Sequence, residues 1–197
     1  MRFSIAAQAW GYVIMIGSNW PRALAVGAAT LLAATASSGG AQAQARRAPV
    51  DGPHIGRCHM GECSWYDITR VTTVRQTPAG RLVHVLMREG GSSHGRGRYP
   101  TSARSARIEW QEVDGGSYYF CSTRHPVAMS ENTGEWTATP LNVITPGGTT
   151  EFITSVYTHV CHPGVNMTQA RARRLGYRDE YGEEFTLPSR DDIFNHR

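Results

Sequence analysis

The chain has 197 residues, of which 20 are basic and 16 acidic, and every basic residue is an arginine. This length allows a single domain with a core, while the formal net charge of +4 gives little indication of a nucleic-acid partner. No dinucleotide fingerprint, phosphate-binding glycine loop or serine nucleophile elbow is present, so the sequence predicts no cofactor and no catalytic residue.

Residues 1–43 have the pattern of a cleavable secretory signal peptide. They contain no acidic residue, and Ala23–Thr35 is an apolar run of 13 residues, shorter than the roughly 20 that cross a bilayer as a helix. Overlapping Ala-x-Ala sites end at Ala43 and Ala45. We therefore expect a periplasmic or secreted protein with no stable membrane span after cleavage.

The alternative for this leader is a transmembrane anchor that also uses the earlier apolar stretch Ile5–Ile16. Pro21 and Arg22 interrupt that longer run, which favours the signal peptide. Its removal takes away two arginines and lowers the net charge of the remaining domain to about +2.

Four cysteines follow the leader, at Cys58, Cys63, Cys121 and Cys161. An even number of cysteines in an oxidising compartment predicts two disulfides, and three pairings are open. Cys58 and Cys63 flank a turn-like segment, whereas Cys121 and Cys161 each end a predicted strand, which favours pairing within each of these two sets. Crossed pairings remain the alternative.

The first elements of the mature chain form a predicted hairpin. Residues 44–57 are polar and rich in proline and glycine, which indicates a flexible lead-in. Residues 64–76 and 81–89 are two strands rich in β-branched residues, and Thr77–Gly80 has the proline and glycine positions of a type I turn.

A mobile loop is predicted at residues 90–105, and a second hairpin pairs residues 107–113 with 117–121. A short strand at 135–139 and a regular, central strand at 151–161 complete the predicted sheet. Thr168 is an N-cap for a short helix, 169–175, which ends at Gly176. The charged tail 178–197 is expected to be loosely attached.

These elements predict a mainly β domain over residues 58–177. It would be a small antiparallel sheet, or a sandwich or barrel-like domain built from hairpins, with one short C-terminal helix.

The candidate binding residues lie in the predicted loop: His94, Arg96, Arg98 and Tyr99, beside flexible glycines. Such a set could hold a phosphate or an acidic polymer, although arginines in a loop also serve only to keep it soluble. Zinc binding by the cysteines and neighbouring histidines, and a nucleophilic Cys161, are alternatives that need free thiols.

The sequence favours a non-catalytic exported module that binds a cell-envelope component or another exported protein, including an enzyme that it would inhibit. The alternative is a periplasmic hydrolase that places His84, His125 or His159 beside a carboxylate such as Asp67 or Glu109.

Overall fold

A computed structural model of the chain describes residues 52–95, 97–112 and 116–196. The predicted signal peptide, most of the predicted lead-in, Arg96 and the centre of the predicted second hairpin turn lie outside the described residues. All described residues belong to one compact unit, Ala41–Arg197.

The described residues form one antiparallel sheet of eight strands, which confirms the mainly β fold class. The strands are β1 His54–His59, β2 Glu62–Thr77, β3 Gly80–Ser93, β4 Glu109–Glu112, β5 Ser117–Cys121, β6 Val127–Asn132, β7 Glu135–Pro140 and β8 Phe185–Leu187. Their order is β1-β2-β3-β5-β6-β7-β8, with β4 paired to β3. The helices are α1 Glu151–Cys161 and α2 Gln169–Arg174, and short 3-10 turns span Ala103–Ser105 and Arg190–Phe194.

The first predicted hairpin is confirmed, since β2 and β3 pair along their whole length around the turn at Pro78 and Ala79. The second predicted hairpin is wrong. Both of its strands pair with β3 instead: β4 with residues 88–91 and β5 with residues 81–85. The alternation of apolar residues identifies a strand but not the strand with which it pairs. Strand β3 is long enough to pair with two short strands, one after the other, along the same edge.

The predicted central strand at 151–161 is also wrong, because these residues form α1. The segment is rich in β-branched and aromatic residues, which favour strands. Its buried side chains, however, recur with a helical period at Thr154, Val156, Tyr157 and Val160, and this stripe packs against the sheet. The domain therefore has two helices where the sequence predicted one.

Several boundaries differ from the prediction. Strand β1 begins at His54, inside the predicted lead-in, and β3 continues to Ser93, inside the predicted loop. The predicted tail contains β8 and a 3-10 turn whose Ile193 is buried. The short helix is confirmed, with Thr168 Oγ1 accepting from Arg171 N as its cap.

The core has two parts, one on each face of the sheet. On the first face, Val83, Val85 and Tyr119 pack with Val156 and Tyr157 of α1. On the second face, the core consists of Leu82, Phe120, Val127, Met129, Ala138, Leu187 and Ile193. Alternate residues of β3 thus serve different cores, so both faces of the sheet are covered by other parts of the chain.

All four cysteines are paired, Cys58 with Cys63 and Cys121 with Cys161, which is the pairing favoured from the sequence. The first disulfide closes the β1–β2 hairpin, and the second joins the end of β5 to the end of α1. Within the part of the chain that is described, no helix has the length and apolar character needed to cross a bilayer.

Candidate functional site

A cleft of about 730 Å³ opens where the β2–β3 turn meets the chain after β5 and the C-terminal 3-10 turn. Three short segments line it: Pro78–Gly80, Cys121–His125 and Phe194–His196. The first segment joins β2 to β3, the second begins at the end of β5, and the third begins at the end of the C-terminal 3-10 turn. The fold thus brings together residues that are far apart in sequence. Such a rim of loops on a fixed scaffold is a common place for binding groups.

The cleft combines an apolar floor with a polar rim that carries one arginine and two histidines. Phe194 forms part of the floor, and its ring contacts the edge of Phe120 with 5.2 Å between centroids. Arg124 and His125 are exposed on one side, and His196 lies on the other. Among the described residues that line the cleft none is acidic, so the rim is suited to an anionic group.

The rim residues from the C-terminal segment are held in place by contacts within the domain. The His196 imidazole stacks on Phe185 with 3.9 Å between centroids and 7° between planes. The Arg75 guanidinium lies 4.7 Å from the centroid of the Phe194 ring. On the opposite rim, His125 N donates to Ser122 Oγ at 3.3 Å. Both sides of the cleft are therefore ordered by their own contacts.

A buried hydrogen-bond network supports the wall of the cleft. The Tyr157 hydroxyl donates to Ser122 O at 3.0 Å and accepts from Ser122 N at 3.2 Å. It also lies 3.0 Å from the Tyr177 hydroxyl, which is 2.6 Å from His162 Nε2. The three side chains and the Ser122 backbone all have hydrogen-bond partners when His162 Nε2–H donates to Tyr177 and the Tyr177 hydroxyl donates to Tyr157. The network fixes the chain just before Arg124 and His125.

Burial sets the ionisation of this network. It raises the pKa of Tyr157 well above the ordinary tyrosine value, with the neighbouring Tyr177 as the next cause. Burial also raises the pKa of Tyr177. The pKa of His162 is lowered, first by burial and then by the positive charge of Arg81. All three side chains are therefore neutral at neutral pH, which fits a structural network better than an acid–base pair.

The Cys121 sulfur also forms part of the wall. Arg81 Nη2 lies 3.9 Å from Cys121 Sγ and 3.4 Å from Val160 O, so the guanidinium sits beside this disulfide. Because both sulfurs of each pair are bonded to one another, zinc binding or a thiol nucleophile would first require reduction.

The candidate binding residues of the predicted loop lie at the other end of β2 and β3. His94 N donates to Gly61 O at 2.6 Å, and the Tyr99 hydroxyl accepts from Gly61 N at 3.0 Å. His94 Nε2 is 2.7 Å from Ser92 Oγ. His94 and Tyr99 thus hold the tip of the β1–β2 hairpin. Arg98 is exposed, and Arg96 is outside the described residues.

The histidines and carboxylates considered for a hydrolase lie in different places. Asp67 forms an ion pair with Arg88, and Glu109 is exposed on β4. The His84 ring stacks on Tyr118 at 4.4 Å, and the His159 ring contacts that of His54 at 4.1 Å between centroids. These histidines are therefore not gathered with those carboxylates in the cleft.

The sequence does not predict Arg124 or His196 as binding residues, and it offers His125 only as one of three histidines for the alternative hydrolase. No local motif marks any of them, because Arg124 and His125 lie in one short segment of ordinary turn composition and His196 lies in another. The available signal was the pair Arg124 and His125, three and four residues after Cys121, and the basic pair His196 and Arg197. A search of family models, of curated proteins and of solved structures finds no match to this chain.

Proposed function

We propose that this domain is a non-catalytic exported module that binds an anionic group of a cell-envelope component or of another exported protein. The single observation behind the proposal is the cleft, whose rim carries Arg124, His125 and His196 without an acidic residue among its described lining. The two disulfides are compatible with an oxidising compartment.

The charges around the cleft support an anionic ligand over a cationic one. Asp191 and Asp192 are the acidic residues nearest in sequence to the cleft segment Phe194–His196, and both have partners of their own. Asp191 lies 3.8 Å from Arg75, and Asp192 accepts from Ser189 at 3.0 Å. Arg124 has no acidic partner among the described residues, so its guanidinium is available for a charge-assisted hydrogen bond to a ligand.

The apolar floor limits the ligand class further. A bare inorganic anion would leave Phe194, Pro78 and Ala79 uncovered. A ring or short chain that carries one carboxylate or phosphate would cover the floor while its charge meets the rim. Sugar acids have this combination, because each unit presents C–H groups and one carboxylate. We therefore use galacturonate as the probe and galactose as its neutral counterpart.

The test is an NMR titration of the protein recovered from the exported fraction. Galacturonate should shift the amide signals of residues 122–125 and 194–196, and galactose should shift them much less. Arg124→Gln should weaken galacturonate binding roughly 10- to 100-fold, since removal of a charged hydrogen-bond partner costs about 1.5–3 kcal/mol. Arg104→Gln, which removes an equally exposed charge from the Ala103–Ser105 turn, should have no effect.

Equal shifts with both sugars, or equal weakening of binding by both variants, would refute the proposed binding of anions in the cleft.

Export is tested on the same sample. Its intact mass should lack the first 43 to 45 residues, and thiol counting should find no free cysteine. A mass equal to that of all 197 residues would contradict the signal peptide.

A further inference from the structure

We infer that the cleft is one end of a longer binding track for a linear acidic polysaccharide, and that α2 continues the track through Arg171 and Arg174. This inference rests on the proposed function, because it assigns to the cleft the first unit of the polymer. It adds a second group of charges, outside the cleft, and it extends the proposed ligand from one sugar to a polymer.

The C-terminal end of α2 lies directly against the wall of the cleft. The helix is followed by Gly176, whose φ of +94° ends it, and a Cβ placed on Gly176 would lie 3.9 Å from Thr123 Oγ1. The next residue, Tyr177, contacts the Tyr157 hydroxyl that bonds Ser122. The end of the helix and residues 122–123 of the wall are therefore parts of one packed unit.

Two arginines of α2 share a side of the helix that faces solvent. Arg171 and Arg174 are three residues apart, which places them one above the other on a helix, and both are exposed. Ala172 is fully buried and anchors the opposite side. Neither guanidinium has an acidic partner within the described part of the chain, in contrast to Arg173, which is 3.1 Å from Asp179. Arg171 and Arg174 lie on α2, and Arg124 lies one residue after Thr123, against which the end of α2 packs.

Two of the acidic residues that follow α2, Asp179 and Glu184, have partners other than Arg171 and Arg174. Asp179 accepts hydrogen bonds from Thr145 and, at 2.9 Å, from Asn142. These bonds are the main cause of the lowered pKa of Asp179, which keeps it ionised. Glu184 accepts from Thr139 of β7 at 3.0 Å.

The form of this surface favours a polysaccharide over a membrane or a nucleic acid. Insertion of a helix into a lipid surface needs a broad apolar face on that helix. Helix α2 has only six residues, and of the large apolar side chains that are exposed among the described residues, Leu175, at 39% exposure, directly follows it. Single-stranded nucleic acids bind to rows of free aromatic faces, whereas the Phe194 ring of the cleft already carries the Arg75 guanidinium on one face.

The test compares galacturonate with its trimer and hexamer by isothermal titration at low ionic strength. The hexamer should bind the native protein at least about tenfold more tightly than the monomer, because linked contacts add without a second loss of rotational and translational freedom. Arg171→Gln/Arg174→Gln should abolish this gain and retain monomer binding in the cleft. Arg104→Gln/Arg107→Gln removes two exposed charges next to β4 and should retain the full gain.

The outcomes separate this inference from the proposed function. Monomer binding without any gain for the hexamer would overturn the track and leave the cleft intact. An equal loss in both double variants would also overturn it, because the effect would then be one of net charge alone. Binding to phosphatidylglycerol vesicles but not to the hexamer would identify a lipid surface instead. Failure of both monomer and hexamer to bind would refute the proposed function itself.

Discussion

Replacement of Tyr157 by phenylalanine tests the network behind the cleft. The ring stays in place, but the hydroxyl that accepts from Ser122 N and donates to Ser122 O is lost. Tyr157 is fully buried and Ser122 is 8% exposed, so water cannot readily replace the lost hydroxyl. A buried donor without an acceptor costs about 1–3 kcal/mol, and the lost bond itself contributes about 1 kcal/mol. We expect Tyr157→Phe to lower the free energy of unfolding by about 2–4 kcal/mol.

Equilibrium urea unfolding followed by tryptophan fluorescence measures this loss, provided the m-value does not change. Tyr181→Phe is the matched control, because Tyr181 is 69% exposed and its hydroxyl bond to Thr145 O can be replaced by water. The control should change stability by less than about 0.5 kcal/mol. If the two variants are equally stable, the Tyr157 hydroxyl does not satisfy the backbone N–H and C=O of Ser122. The buried network then does not order the wall of the cleft.

The disulfides and one half-buried carboxyl, that of Glu89, give further expectations. Cys121→Ser/Cys161→Ser opens a loop of 40 residues and Cys58→Ser/Cys63→Ser one of 5. Chain entropy gives losses of about 4 and 2 kcal/mol in urea unfolding, and the reverse order would contradict it. Burial raises the pKa of Glu89 above its ordinary value of 4.5, so its charged form destabilises the fold as pH rises. Glu89→Gln should therefore unfold at a higher temperature than the native protein at pH 7, and this advantage should disappear below about pH 4.

Features set by neighbouring residues were predictable from the sequence. The β2–β3 hairpin has its turn encoded in Thr77–Gly80, and the short helix has its cap and stop encoded in Thr168 and Gly176. The disulfide pairing was favoured because Cys58 and Cys63 flank a turn-like segment and Cys121 and Cys161 each end a predicted strand, although Cys161 in fact ends a helix. The prediction failed at α1, because the residue types of 151–161 favour a strand, whereas the spacing of the apolar positions also fits a helix that packs on a sheet. Local preference was outweighed there by burial.

The amino-acid sequence by itself determined a mainly β domain with paired cysteines and little net charge, since these depend on composition and on short-range patterns. Only the tertiary structure decided that β4 and β5 share the edge of β3, and that the β2–β3 turn, the residues after Cys121 and the end of the chain meet in one cleft. The physical reason is that side-chain alternation specifies the face of a strand but not its neighbour. The neighbour is chosen by the packing of the whole core, and that choice places Arg124, His125 and His196 around one opening.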